Sequence, residues 1–309
     1  MKIILSLLAA FLFLLAGCTH PIPQDFKETE STIEILGPHS VPEETEPSSE
    51  PAPIELIEGP TNTPYINKVL LETVERITTP DMTEYEKAKA AFDYLIELTY
   101  FEKPIALDIW RIRGGGEIPS YVENKCLSVL LYGLGECEDY AAALAMLLRT
   151  MGMKAEYVPG LTYSAEGPLV DHAWTVAEID GVWYHLDSQL QDNVSRNRSI
   201  SYRYFMKGDK TMSASHYWGQ NLIDAKFLTE AQNQEIRNHF LYPSCPQDYP
   251  TPQRRDYIPL PQTDASKVLN QIAAEKAEYE RLNGTLPPLE LNTTPPVFAW
   301  EGYGPPRCV

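Results

Sequence analysis

Asp180-Gly181 restricts the fold more than any other feature of this chain. The pair separates residues 171–179 from 182–187, two stretches rich in β-branched and aromatic side chains. A two-residue Asp-Gly loop in that setting is a strong hairpin signal. It also sets the register, placing Trp174 opposite Asp187 and His172 opposite Gln189. His172 and Asp187 are then diagonal neighbours on one face, about 7–8 Å apart at Cα, within reach for an imidazole and a carboxylate. His185 shares that face, further from His172. Residues 155–162 read as a preceding strand, so an antiparallel sheet is expected to run from 155 to 187.

Ahead of the sheet the period is helical. Ile66, Val69, Leu70, Val74 and Ile77 keep helix spacing, and Thr79-Pro80-Asp81 stops that helix. A Thr83-x-x-Glu86 capping box opens the next helix, with Tyr85, Ala88, Phe92, Leu95 and Thr99 on one face. A short apolar stretch covers 127–132. A glycine-rich turn, Gly133-Leu134-Gly135-Glu136, then runs into an alanine- and leucine-rich helix that begins at Cys137 and ends near Met151-Gly152. Helices followed by hairpin strands predict an α+β domain over 61–240, long enough to bury a sizeable core.

That order brings together a thiol at a helix N-terminus, an imidazole on one strand and a carboxylate on the next. Helix-start amides and the dipole favour a thiolate at Cys137, while Glu136, Glu138 and Asp139 would oppose it if they faced the sulfur. Taken singly, Cys137 reads as a buried structural cysteine, His172 as a core histidine and Asp187 as a turn residue. Taken together they are the nucleophile, base and orienting acid of a cysteine acyl-transfer triad. His185 is the competing candidate for the base, Gly135 is expected to let a substrate carbonyl approach the backbone, and the N–H of Cys137 is the expected oxyanion donor.

Several blocks occur in an order that resembles the transglutaminase-like superfamily of papain-related thiol enzymes. These are Gly135-x-Cys137-x-Asp139-Tyr140-Ala141, Gly152, Val158-Pro159-Gly160, His172-Ala173-Trp174 and Trp183-Tyr184-x-Leu186-Asp187. The resemblance spans roughly 80–218. It implies a papain-like core with the catalytic helix packed on an antiparallel sheet, and it assigns the three roles to Cys137, His172 and Asp187. It also implies an upstream side chain at the oxyanion hole, for which Tyr121 and Tyr132 are candidates; nothing in the sequence suggests the calcium sites of the animal crosslinking enzymes, and no cofactor or metal is expected.

The ends of the chain say where such a site would work. Lys2 followed by an apolar run to Ala16 reads as a signal peptide over 1–17, too short to span a bilayer. Its end, Leu15-Ala16-Gly17-Cys18, resembles the bacterial lipoprotein site, in which the cysteine carries lipid. Residues 18–60 form the expected disordered tether; 19–60 hold eight prolines, ten acidic residues and one lysine. The formal charge of −18 argues against nucleic acid as a partner. A proline-rich extension with one helix, 264–283, is expected over 241–309. Cys126 reads as buried, whereas Cys245 and Cys308 fall in the extension, and no sequence signal supports or excludes a bridge between them.

The expected protein is a lipid-anchored, outward-facing enzyme acting on peptide or amide bonds of a peptide, protein or cell-wall peptide. Hydrolysis is favoured over crosslinking and over a non-catalytic surface module of the same fold.

Overall fold

Helical periodicity before residue 150 and strand alternation after it sort the chain into two layers. The computed structural model describes residues 60–105, 108–164, 167–196 and 198–291. The expected signal peptide, the tether to residue 59, Cys18 and Cys308 lie outside the described residues.

In the helical layer α1 (Pro64–Ile77) buries Ile66, Val69, Leu70 and Val74. The Thr83/Glu86 capping box opens α2 (Glu84–Leu98), which buries Ala88, Phe92 and Leu95. Two short strands, β1 (Tyr100–Phe101) and β2 (Leu134–Gly135), pair in parallel. Between them in sequence come α3 (Trp110–Arg113) and α4 (Tyr121–Tyr132). The apolar stretch at 127–132 is only the end of α4, because Ser120 and Glu123 form a further capping box and start the helix earlier. Gly133 closes it at φ 64°, a left-handed position suited to glycine. Nearly every residue of α5 (Cys137–Thr150) is buried. It packs on α1, α2 and α4 and, on its other side, on the sheet.

β3 (Ala155–Tyr163), β4 (Leu169–Ile179) and β5 (Val182–Leu186) form the antiparallel meander. Asp180 and Gly181 have φ 51° and 77°, as a primed hairpin turn requires. Ile179 pairs with Val182 and Thr175 with Leu186. The ladder stops there. Asp187, expected as a strand residue, is the N-cap of α6 (Ser188–Ser195), and its carboxylate accepts the Leu190 N–H at 2.9 Å. Gln189, expected opposite His172, lies inside that helix. An aspartate ahead of a helix-forming run satisfies orphan amides, and that competes with continuing the strand.

Past α6 come β6 (Ser199–Ile200), α7 (Asp209–Met212) and β7 (His216–Tyr217), which joins the sheet in the order β5-β4-β3-β7. The remaining elements are α8 (Gly219–Asp224), α9 (Glu230–His239), β8 (Arg255–Asp256) and α10 (Ala265–Asn283). The segment after 240 is laid against the core. Cys245 is buried as a free thiol among Val158, Trp174, Met212 and Trp218, so it forms no bridge to Cys308. β8 pairs with β6, Arg255 meets Asp93 and Glu97, and Arg113 Nε and Nη2 each donate to the Glu275 carboxylate of α10. The architecture is α+β, with the Cys137 helix between a helical layer and a curled antiparallel sheet.

Candidate active site

Strand alternation decides which groups meet. Along β4, Ala173 and Thr175 face α5: Ala173 packs with Ala141 and Tyr157, and Thr175 Oγ1 donates to the Ala141 carbonyl at 2.9 Å. Those contacts fix the first turns of α5 against the beginning of β4. His172 and Trp174 project from the alternate face. There His172 Nε2 lies 2.7 Å from Asp187 Oδ2, with both side chains fully buried. The expected His–Asp pair is therefore formed, although Asp187 reaches it from a helix cap rather than a strand.

Burial alone would raise the Asp187 carboxyl, but the His172 and His216 imidazoles outweigh it and hold the group well below the usual carboxylate range. An ionised Asp187 only accepts, so His172 carries its proton on Nε2. Its Nδ1 is then a bare acceptor, buried and without a hydrogen-bond partner.

Cys137 is the first residue of α5 and 1% exposed. The acidic residues beside it are tied down. Glu138 takes the Tyr121 hydroxyl at 2.6 Å and Lys125 Nζ at 2.9 Å. Asp139 turns back to accept the Glu136 N–H at 2.9 Å. Burial pushes Asp139 up to about 7 against the pull of Lys125. Asp171 is pushed up to about 6, by burial first and by the Glu138 charge second.

Gly135 has a structural cause. A Cβ there would lie 2.7 Å from both Asp139 Cβ and Val129 Cγ2, so glycine makes room for the capping Asp139 side chain. Of the two candidate oxyanion side chains, Tyr121 lies at the α5 tip through Glu138. Tyr132 sits elsewhere, in the surroundings of Arg113, Tyr65 and Glu275.

His185, the competing base, shares the face of His172 and Trp174 but is engaged with other partners. Trp174 Nε1 donates to its Nδ1 at 3.0 Å, and its Nε2 meets Asp209 Oδ1 at 3.0 Å. His216 was legible only as part of an aromatic edge, His216-Tyr217-Trp218. In the structure it is fully buried, and its Nε2 lies 3.0 Å from the same Asp187 Oδ2 that His172 uses. Its sequence signal was weak because β7 is two residues long and pairs with β3 only at Leu161 and Thr162.

Two groups among the described residues bring three ligand-type atoms within 4.8 Å of one another: His172, Asp187 and His216, and His185, Asp209 and Cys245. Hydrogen bonds account for both. Indole N–H can only donate, so His185 Nδ1 accepts and its proton sits on Nε2, the atom a metal would need.

Residues 72–188 match the sequence profile described as the Transglutaminase-like superfamily, a span that contains Cys137, His172 and Asp187. No curated protein matches the chain. Among solved structures, a candidate cysteine protease from Cytophaga hutchinsonii aligns at 17% identity and TM-score 0.30, covering 42% of this chain and 39% of that one. A protein described as a TGase aligns at 16% and 0.27, covering 50% and 36%. A candidate protease from Parabacteroides distasonis aligns at 16% and 0.26, covering 40% and 25%. This chain thus spans well under half the length of those proteins. On the profile match, residues 72–188 are a domain of the transglutaminase-like superfamily.

Proposed function

We propose that this protein is a thiol acyl-transfer enzyme that hydrolyses a peptide or amide bond, with Cys137 as nucleophile, His172 as base and Asp187 as the orienting acid. The observation that carries this reading is the His172–Asp187 contact at 2.7 Å, which leaves His172 Nδ1 as a buried acceptor without a partner. Reduced Cys137 gives its proton to that nitrogen, and the thiolate adds to the substrate carbonyl carbon. The N–H of Cys137, at the first position of α5, stabilises the oxyanion. The imidazolium then protonates the departing amine as the C–N bond breaks, leaving a thioester. His172 next takes a proton from water, the oxygen adds to the thioester, and the thiolate leaves with a carboxylic acid released. Asp187 stays ionised throughout.

The site's place is part of the proposal. Leu15-Ala16-Gly17-Cys18 and the acidic, proline-rich stretch after it support a lipid anchor at Cys18 and an outward-facing enzyme. Peptides, proteins or cell-wall peptide are the substrates reached from there.

Treating the reduced protein with a thiol-reactive peptide-amide probe and mapping the adduct tests the assignment. Labelling at Cys137 that disappears in His172→Ala is expected. An adduct confined to Cys126 or Cys245, or a Cys137 adduct indifferent to His172, would remove its basis. Release of free acid in water identifies hydrolysis. Product formed only with an added amine would replace it by crosslinking.

A further inference from the structure

We infer that His216 is a positioning residue for the same site: it shares Asp187 with His172 and sets how strongly that carboxylate holds the His172 proton. The inference rests on the Cys137–His172–Asp187 reading above. Asp187 Oδ1 accepts the Leu190 N–H, and Oδ2 takes His172 at 2.7 Å and His216 at 3.0 Å. An ionised carboxylate has no proton to give, so both Nε2 atoms donate. Two donors on one oxygen divide its charge between them. His216 donates as a neutral ring, because its proton is fixed: Nδ1 lies 2.9 Å from the Ser215 hydroxyl, which supplies the matching donor.

The backbone holds this ring in place from several sides. Thr162 pairs with His216 across β3 and β7, and Thr162 Oγ1 donates to the Ser215 carbonyl at 3.0 Å. The His216 ring meets Trp174 edge to face at 4.9 Å, and Trp174 stacks on His172 at 5.9 Å. Gly160, opposite His172, makes room for this layer, since a Cβ there would strike the Tyr217 carbonyl and the Trp174 ring. A histidine serving only as filler needs neither the tautomer lock nor the contact with the carboxylate.

Other titratable groups face the cluster from each packed element. His185 from β5 carries Asp209 behind it, and Tyr204 lies beside His216 at 5.9 Å between ring centres. Asp171 precedes His172 on β4, and Glu138 and Cys137 stand at the tip of α5. None of them donates to Asp187 Oδ2. Removing the His216 donor therefore concentrates the carboxylate's charge on His172, and the imidazolium form of His172 becomes harder to deprotonate.

The test is an NMR pH titration of the His172 ring in the reduced full chain, comparing wild type with His216→Leu, His216→Gln and Ser215→Ala. His216→Leu is expected to raise the His172 pKa by about one unit. His216→Gln, whose amide N–H reaches where Nε2 stood, is expected to return it close to wild type. Ser215→Ala leaves the ring in place, loosens its tautomer and should produce a smaller rise, which keeps the test available if His216→Leu does not fold. A structural role alone would broaden or abolish the signals without a rise that glutamine reverses. An unchanged or lowered His172 pKa in the folded Leu or Ala variant overturns the inference. The underlying reading fails separately, if Cys137 reactivity in the wild type does not depend on His172.

Discussion

Asp187 is the residue on which most of the site depends. Three donors converge on its two oxygens, and the side chain is fully buried. Its pKa in the fold is lowered despite burial, because His172 and His216 outweigh desolvation. The unfolded value is about 3.9. A depressed carboxylate contributes stability that is complete above that value and is lost as pH falls through the folded one. Asp187→Asn should cost about 2–3 kcal/mol at pH 7 in urea denaturation, the scale of hydrogen bonds to a charged group. The gap to wild type should narrow below about pH 4. A constant gap from pH 3 to pH 7 would mean that packing, not the ionised carboxylate, is what Asp187 supplies.

At the scale of elements, the α5 N-terminus combines a site with an electrostatic liability. Asp139 caps the helix through the Glu136 N–H, yet burial pushes its carboxyl up to about 7. Here the sign is opposite to that of Asp187. The folded state binds more protons than the unfolded one between about pH 4 and 7, so stability falls as pH rises across that window. Asp139→Asn keeps an oxygen acceptor for the cap and removes the buried charge. Its stability relative to wild type should be better at pH 8 than at pH 5, by about 2–3 kcal/mol. Equal effects at the two pH values would show that Lys125 already neutralises the carboxylate.

The elements that sequence made legible were those with strong local signals. The Asp180-Gly181 turn specified the β4–β5 register, the capping box specified the start of α2, and the glycine-rich turn specified the start of α5. What escaped was set by tertiary contact. The end of β5 depended on Asp187 preferring a helix cap. The role of His216 depended on a two-residue strand finding β3. The packing of Gly135 against the Asp139 cap was likewise a tertiary matter.

For the whole molecule, composition marked the segment after residue 240 as an extension, whereas its contacts make it part of the packed body. Proline content describes how a segment is built, not what it touches. Cys245 completes the cluster of Trp174 and Trp218, which lies behind His172, and Arg255 crosses to Asp93 and Glu97 on α2. Truncation after residue 240 should therefore cost more than about 3 kcal/mol of stability, several buried side chains' worth. A truncated chain that melts like the full one would show that the extension only covers the surface. At the other end, Cys18→Ser should leave the protein unprocessed or release it from membranes. Unchanged fractionation and gel mobility would contradict the lipid anchor.

The triad itself is tested most directly by the rate at which iodoacetamide alkylates Cys137 in reduced, folded protein at pH 6. A free thiol with a pKa of about 8.5 is almost wholly protonated there. Thiolate held by the α5 N-terminus and the His172 imidazolium should react at least about tenfold faster than Cys126 or Cys245, both of which burial pushes upward. His172→Ala should abolish that advantage. Slow alkylation of Cys137 at pH 6, rising only above about pH 8 and indifferent to His172, would contradict a thiol enzyme and leave the fold as a surface module.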